Sequence, residues 1–130
     1  MSSADALHQT TFGPAALTSV LFTVTGVAHL IRPRTFDAIV PRMLPGPARA
    51  WTIGSGLIEL ALAGAVWNRR TRRAGGLASA AFLVAVFPAN VRTVRLVRGR
   101  SVRARAITWA RLPMQVPLVI LALRAATDPR

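Results

Sequence analysis

Five ionisable or amide side chains interrupt segments of this sequence that are otherwise apolar, and they are the residues best suited to chemistry. They are His29, Glu59, Asn90, Arg111 and Gln115. Such groups are costly inside a lipid bilayer, so each is a candidate for a binding site or for pairing between helices. A glutamate and an arginine can neutralise each other, while an imidazole and two amides complete the hydrogen bonding. The pattern predicts a polar cluster within a membrane domain.

The composition supports a membrane domain. Of the 130 residues, 52% are hydrophobic and 16% are charged, and the mean hydropathy is +0.43. A soluble domain of this length would have to bury most of those apolar residues in one small core. Without cysteine, a disulfide scaffold and a thiolate metal site are excluded. Only two histidines are present, so we predict no metal site. We also assign no residue a catalytic role.

Four apolar segments predict an all-α fold, a bundle of four transmembrane helices running up and down. A helix needs about 20 apolar residues to cross the hydrocarbon core. Proline removes a backbone hydrogen bond, so Pro88, Pro113 and Pro117 predict helix kinks. The predicted spans cover residues 14–31, 50–67, 74–96 and 106–126, between a polar tail at 1–13 and a second tail at 127–130. The proline-rich connection after the first span favours a short interfacial or re-entrant piece.

The five polar residues share one half of this predicted bundle. In an up-and-down arrangement, the ends of spans one and three lie on the same side as the starts of spans two and four. At about 1.5 Å per residue, His29 lies roughly 3 Å deep, Arg111 roughly 8 Å and Glu59 roughly 13 Å. Two interpretations stay open: a pocket that neutralises Glu59 with Arg111 and binds a ligand, or a structural cluster that fixes helix register.

The charge is strongly positive, and its location favours lipid over nucleic acid as partner. All 17 basic residues are arginine, and the net charge is +13. Four arginines lie in the loop at 68–73, and Arg92, Arg95 and Arg98 follow Pro88 at three-residue spacing. Loop arginines hold membrane topology and meet anionic headgroups. A nucleic-acid footprint needs a folded soluble surface, so no nucleic-acid partner is predicted.

Several phrases of the sequence resemble the DoxX-like family of small four-span membrane proteins. Together they cover residues 22–120 and occur in the family's order. The phrases are His29-Leu-x-x-Pro33-x-x-Phe36 with Gly56-x-x-Glu59, Thr71-Arg72-Arg73, Val84-Ala85-Val86-Phe87-Pro88-Ala89-Asn90 and Arg111-Leu112-Pro113-x-Gln115.

This resemblance implies a four-helix membrane bundle in which the same five polar residues are family-pattern positions. It also implies an association with membrane redox enzymes, such as a terminal quinol oxidase or thiosulfate:quinone oxidoreductase. The family pattern favours cytoplasmic termini, whereas ten arginines in the first and third loops against six on the side of the termini favour the reverse. The use of arginine without lysine is typical of a GC-rich bacterial source, and hence of a bacterial plasma membrane.

Three functional hypotheses follow. The first is a non-catalytic accessory subunit that binds a quinone-like or lipid-like molecule in the polar pocket, beside a redox enzyme. The second is a scaffold without a ligand that contacts a partner or another copy through small residues of span three, such as Gly75 and Ala78. The third is an enzyme or small proton-coupled carrier with Glu59 as proton acceptor. It ranks last because nothing supplies a cofactor, metal or thiol.

Overall fold

The computed structural model describes residues 12–130, and in that range the chain is helical without strands. Four of its helical segments are long and apolar enough to cross a membrane, which confirms the predicted all-α fold with four candidate spans. These segments indicate a multi-pass membrane protein. The helices are α1 (Pro14–Ile31), α2 (Pro33–Asp37), α3 (Ala48–Trp67), α4 (Arg72–Ala85), α5 (Phe87–Leu96) and α6 (Val102–Ala126). The predicted tail at 1–13 lies outside the described residues except for Phe12 and Gly13.

The first, second and fourth spans begin next to residues that favour the start of a helix. The first span coincides with the predicted residues 14–31, and the second begins at Ala48, directly after Pro47. The fourth begins four residues earlier than predicted, because the Ser101 hydroxyl accepts a hydrogen bond from the N–H of Ala104 at 3.2 Å. A side-chain acceptor at this position satisfies one of the unpaired donors of a helix start. The arginines at this start therefore belong to the helix.

Proline affects the third and fourth spans differently. The third span is divided at Val86 into α4 and α5, and Pro88 lies in the first turn of α5, where a missing N–H is tolerated. Pro113 and Pro117 lie inside α6, and the helix continues through both. A kink at either position stays a prediction.

Consecutive spans run antiparallel, and the first and fourth also contact each other, which closes a four-helix bundle. Small residues allow the closest approaches. A Cβ added to Gly26 would lie 2.9 Å from the carbonyl oxygen of Gly56, and one added to Gly56 would lie 2.8 Å from Cβ of His29. Only glycine permits this distance between α1 and α3. Gly56 lies about one helical turn before Glu59 in α3, so the contact of His29 with Gly56 also brings His29 close to Glu59.

The interior and the outer faces of the bundle differ in residue size. The buried apolar residues are small, with alanines such as Ala63 and Ala122 and a single phenylalanine, Phe22. Large apolar side chains are exposed instead, among them Leu17, Val24, Ile58, Leu77 and Ile120. Small residues at helix contacts and large apolar residues outside are typical of helices that pack within lipid.

Arg72 fixes the end of the bundle where the chain terminates. Its side chain is buried, and its guanidinium donates to the carbonyls of Val66 at 2.9 Å and of Trp67 and Asp128 at 3.1 Å each. It also donates to the carbonyl of Arg130. The predicted tail at 127–130 is therefore held against the loop between α3 and α4.

Asp128 joins this terminal segment to the start of α1. Its carboxylate accepts a hydrogen bond from the N–H of Ala15 at 3.0 Å, and so satisfies a donor of the first helical turn. Burial raises the pKa of Asp128. The backbone N–H groups of Ala15 and Arg130 and the charge of Arg72 together lower this pKa by more than burial raises it. The net effect is a pKa below the usual value of 3.8.

Candidate functional site

A cavity of about 400 Å³ lies among the four spans and the connection after α1. Its size is within the usual range for pockets that bind small molecules. The structure brings all five predicted polar residues to its wall: His29, Glu59, Asn90, Arg111 and Gln115. Within residues 12–130, no three side chains of the metal-ligating types come together. The cavity is the candidate site.

The partner of Glu59 differs from the one expected. Its Oε2 lies 3.3 Å from Nδ1 of His29, and no ion pair joins Glu59 to Arg111 in the described part of the chain. The pocket interpretation paired Glu59 with Arg111, and this contact is not formed among the described residues. The reason is the glycine contact between α1 and α3, since it brings His29 beside Glu59.

His29 is held in place from two further directions. Its Nδ1 lies 2.7 Å from the carbonyl oxygen of Thr25, one turn earlier in α1. A carbonyl can only accept, so Nδ1 carries the hydrogen of this bond. The imidazole also stacks on Phe36 of α2, with ring centroids 3.8 Å apart and an angle of 22° between the planes. The short helix α2 therefore orients His29 at the edge of the cavity.

Glu59 is left with an unsatisfied oxygen. The residue is only 8% exposed, and its Oε2 has no hydrogen-bond partner among the described residues, because the Nδ1 hydrogen of His29 is directed to the Thr25 carbonyl. A buried acceptor without a donor costs roughly 1–3 kcal/mol, and more when it is charged. A ligand with an O–H or N–H group would remove this cost. The oxygen is therefore the most specific feature of the cavity.

Asn90 and Gln115 are joined by a hydrogen bond. The Asn90 amide donates to Oε1 of Gln115 at 3.3 Å, and the Gln115 amide donates to the carbonyl of Leu83. Leu83 lies one turn before the interruption of the third span at Val86. These bonds join α5 and α4 to α6. This pair therefore has the structural role that the second sequence interpretation assigned to the whole cluster.

Arg111 has a different environment from the other four residues. It is exposed while lining the cavity, and no hydrogen bond or ion pair holds its guanidinium within residues 12–130. Its charge acts on His29 from a distance. It can therefore turn toward an acceptor group of a bound molecule without first breaking a contact.

Several polar residues of the cavity were missed by the sequence argument. Ser55 and Thr52 lie one and two turns before Glu59 on the same face of α3, and Thr18 and Thr25 lie on the cavity face of α1. Helical spacing from Glu59 and His29 would have found them. Thr52 lowers the pKa of the nearby Asp37 carboxyl, although its buried hydroxyl has no partner that meets full hydrogen-bond geometry among residues 12–130.

The remaining wall of the cavity is apolar and partly aromatic. Phe22 of α1 and Phe82 of α4 meet edge to face with ring centroids 6.0 Å apart, and both line the cavity. Phe36, Leu118 and Leu121 continue this wall. The cavity therefore joins an apolar chamber to a small set of polar groups.

A family model described as "Domain of unknown function (DUF8561)" matches residues 18–126, which include all five predicted polar residues. No curated protein and no solved structure matches the chain.

Proposed function

The chain belongs to the DUF8561 family of unknown function, and we propose that it is a non-catalytic membrane subunit that binds a quinone-like or lipid-like molecule in its cavity. One observation carries the proposal, namely that Glu59 lines a largely apolar cavity and has a buried oxygen that accepts no hydrogen bond from residues 12–130. Within residues 12–130 this acceptor has no hydrogen-bond partner, and a ligand with a polar head would complete it.

The lipophilic character of the ligand follows from the walls. Apolar side chains form most of the chamber, among them Phe22 of α1, Phe82 of α4 and Leu118 of α6, and the chamber lies between helices long enough to cross a bilayer. A molecule dissolved in the bilayer reaches such a chamber without leaving the apolar phase. Pockets of this kind fix orientation with few polar groups.

The polar head follows from Glu59 and Arg111. Glu59 offers an acceptor oxygen, and Arg111 offers donors that no group in residues 12–130 engages. A head with a hydroxyl group that donates to Glu59 and a second oxygen that accepts from Arg111 would complement both residues. Reduced quinones and hydroxylated lipids have such heads and long apolar tails.

An accessory role beside a redox enzyme is supported by the resemblance to the DoxX-like family. The same resemblance and the arginine-only composition support a bacterial plasma membrane as the location. The partner in this proposal is a membrane redox enzyme, and the subunit holds or delivers the lipophilic molecule. The carrier hypothesis, with Glu59 as proton acceptor, has no separate observation in its favour.

The scaffold hypothesis loses part of its predicted contact surface. A Cβ on Gly75 would lie 2.8 Å from the backbone of Ala65, and one on Gly76 would lie 2.6 Å from the backbone of Ala126. Both glycines therefore pack against helices of their own chain. Ala78 is exposed and would have to form the external contact without them.

Mass spectrometry of the protein purified in mild detergent tests the proposal, with Glu59→Gln in parallel. We expect a defined quinone or lipid in the unchanged protein and a roughly ten- to hundredfold loss of affinity in the variant, since hydrogen bonds to charged groups contribute about 1.5–3 kcal/mol. Arg111→Leu should also lose the ligand. The matched control is Arg124→Leu, which removes an exposed arginine of the same helix outside the cavity.

Two outcomes would contradict the proposal. Bulk lipid in equal amounts in all four proteins would show that the cavity selects nothing. Equal losses in Arg111→Leu and Arg124→Leu would show that charge alone retains the ligand. A partner chain that co-purifies in stoichiometric amounts would support the accessory role, and a redox enzyme among such partners would identify the complex.

A further inference from the structure

A second cleft lies between α5 and the first half of α6, and it shares no lining residue with the cavity at Glu59. Its volume is about 420 Å³. Three arginines and four apolar residues line it: Arg95, Arg98, Arg105, Val91, Val94, Trp109 and Leu112. We refer to it as the arginine cleft. Its mixed lining suits a molecule with an anionic end and an apolar end.

The arginine cleft concentrates positive charge that nothing nearby offsets. Arg95, Arg98 and Arg105 are exposed, and none of the acidic residues in the described range lines the cleft. No hydrogen bond or ion pair within residues 12–130 engages their guanidinium groups. Guanidinium groups bind phosphate through paired, charge-assisted hydrogen bonds. The free donors therefore match a phosphate group.

The charged and apolar parts of the cleft are separated along the helices. Arg98 follows the end of α5 and Arg105 lies in the first turn of α6, so both belong to one end of the bundle. Leu112 lies seven residues further along α6 than Arg105, which corresponds to about 10 Å. That distance leads from the headgroup region into the hydrocarbon, and Trp109 between them has the amphipathic ring that is common at this level.

We propose that the arginine cleft binds an anionic phospholipid, with its phosphate among the three arginines and an acyl chain along Val91, Val94 and Leu112. A free phosphate ion would use the arginines and leave the apolar floor empty. Nucleic acid would meet the same apolar floor at membrane depth. A lipid uses both parts, and it is available wherever the four spans cross a bilayer. This site is independent of the function proposed for the cavity at Glu59.

Quenching of Trp109 fluorescence by brominated lipids tests the proposal directly. For this test, Trp51→Phe and Trp67→Phe are introduced into the full chain, so that Trp109 is the single tryptophan fluorophore. It is reconstituted into phosphatidylcholine vesicles that contain a minor fraction of brominated phosphatidylglycerol or of brominated phosphatidylcholine. We expect markedly stronger quenching by the anionic lipid. Each arginine removed should weaken the local affinity roughly fivefold, since an arginine near an anionic surface contributes about 1 kcal/mol.

The control separates a specific site from general attraction between charges. Arg95→Gln, Arg98→Gln and Arg105→Gln combined should bring quenching by the two lipids to the same level. Arg70→Gln, Arg73→Gln and Arg124→Gln combined remove the same charge at the other end of the bundle, from exposed arginines, and should leave the preference unchanged. Equal loss in both triple variants would overturn the proposal.

Two other results would also overturn it. Equal quenching by the two lipids in the starting protein would show that no anionic lipid occupies the cleft. Inorganic phosphate that abolishes the preference at low concentration would show that the site takes a free ion. Native mass spectrometry of the chain with all its tryptophans gives a second measurement. Phosphatidylglycerol should remain bound to the unchanged protein and should dissociate from the single variants Arg98→Gln and Arg105→Gln.

Discussion

Gly76→Ala should destabilise the bundle, although alanine is the better helix former. The added Cβ would lie 2.6 Å from the backbone nitrogen of Ala126 and 2.7 Å from its Cα and Cβ. None of these atoms belongs to a flexible side chain, so α4 and α6 would have to separate. The end of α6 is not free to move, because Arg72 binds the carbonyls of the segment that follows.

The size of the effect follows from two opposing contributions. Overpacking of a close contact costs about 1–3 kcal/mol. The higher helix propensity of alanine offsets about 1 kcal/mol of that cost. Gly64→Ala is the matched control, because Gly64 lies inside α3 with nothing within 4 Å of an added Cβ. It receives the gain in propensity alone, so the difference between the two variants measures the contact, which we expect to be about 1–3 kcal/mol.

Titration of the detergent-solubilised protein with dodecyl sulfate, followed by circular dichroism, gives the free energy of unfolding of both variants. We expect Gly64→Ala to match or exceed the unchanged protein and Gly76→Ala to fall below it. If Gly76→Ala is as stable as Gly64→Ala, the helices can separate at no cost. The account of Gly76 as an internal contact would then be refuted.

Three further predictions concern polar contacts. Arg72→Lys should lower the free energy of unfolding by about 1–3 kcal/mol, because the ammonium group of lysine cannot donate to all four carbonyl groups that the branched guanidinium of Arg72 reaches. The pKa of Asp128 is lowered in the folded state, so its contribution to stability is complete above the unfolded pKa, about 4, and is lost as the pH falls through the folded pKa. A double-mutant cycle of Asn90→Ala and Gln115→Ala should give a coupling of about 0.5–1 kcal/mol.

Each of these predictions has its own control. Arg73→Lys changes an exposed arginine next to Arg72 and should leave stability unchanged, so equal effects would contradict the role of the buried fork. Asp128→Asn should flatten the acid limb of the stability curve, and an unchanged limb would assign the titration to another group. Strict additivity in the cycle would show that the bond between Asn90 and Gln115 contributes nothing.

The spans were predictable because the bilayer allows few alternatives. A chain that crosses lipid has to satisfy its backbone internally over about 20 apolar residues, so hydropathy alone locates the helices. Their boundaries were less predictable. The fourth span starts at Val102 because of a hydroxyl cap at Ser101, and arginines at 103 and 105 masked this start in a hydropathy profile.

The membership of the candidate site was also predictable, while its contacts were not. Counting residues from the span ends places His29, Glu59 and Arg111 in the same half of the bundle, and the structure brings them to one cavity. The same count does not reveal rotation about a helix axis. Thr52 and Ser55 share a face of α3 with Glu59 and were missed because only depth was counted. The contact of Arg111 with Glu59, which depth cannot decide, is not formed among the described residues.

The sequence by itself determined the class of protein, since 52% hydrophobic residues in four long segments favour a membrane bundle, and it determined which polar groups lie at membrane depth. The tertiary structure alone decided which groups meet. The approach of Gly26 to Gly56 sets the distance between α1 and α3, which brings His29 beside Glu59. Arg111 stays at the cavity wall without a partner among the described residues. Depth depends on local helical rise, whereas pairing depends on the distance and rotation of helices that are far apart in the chain.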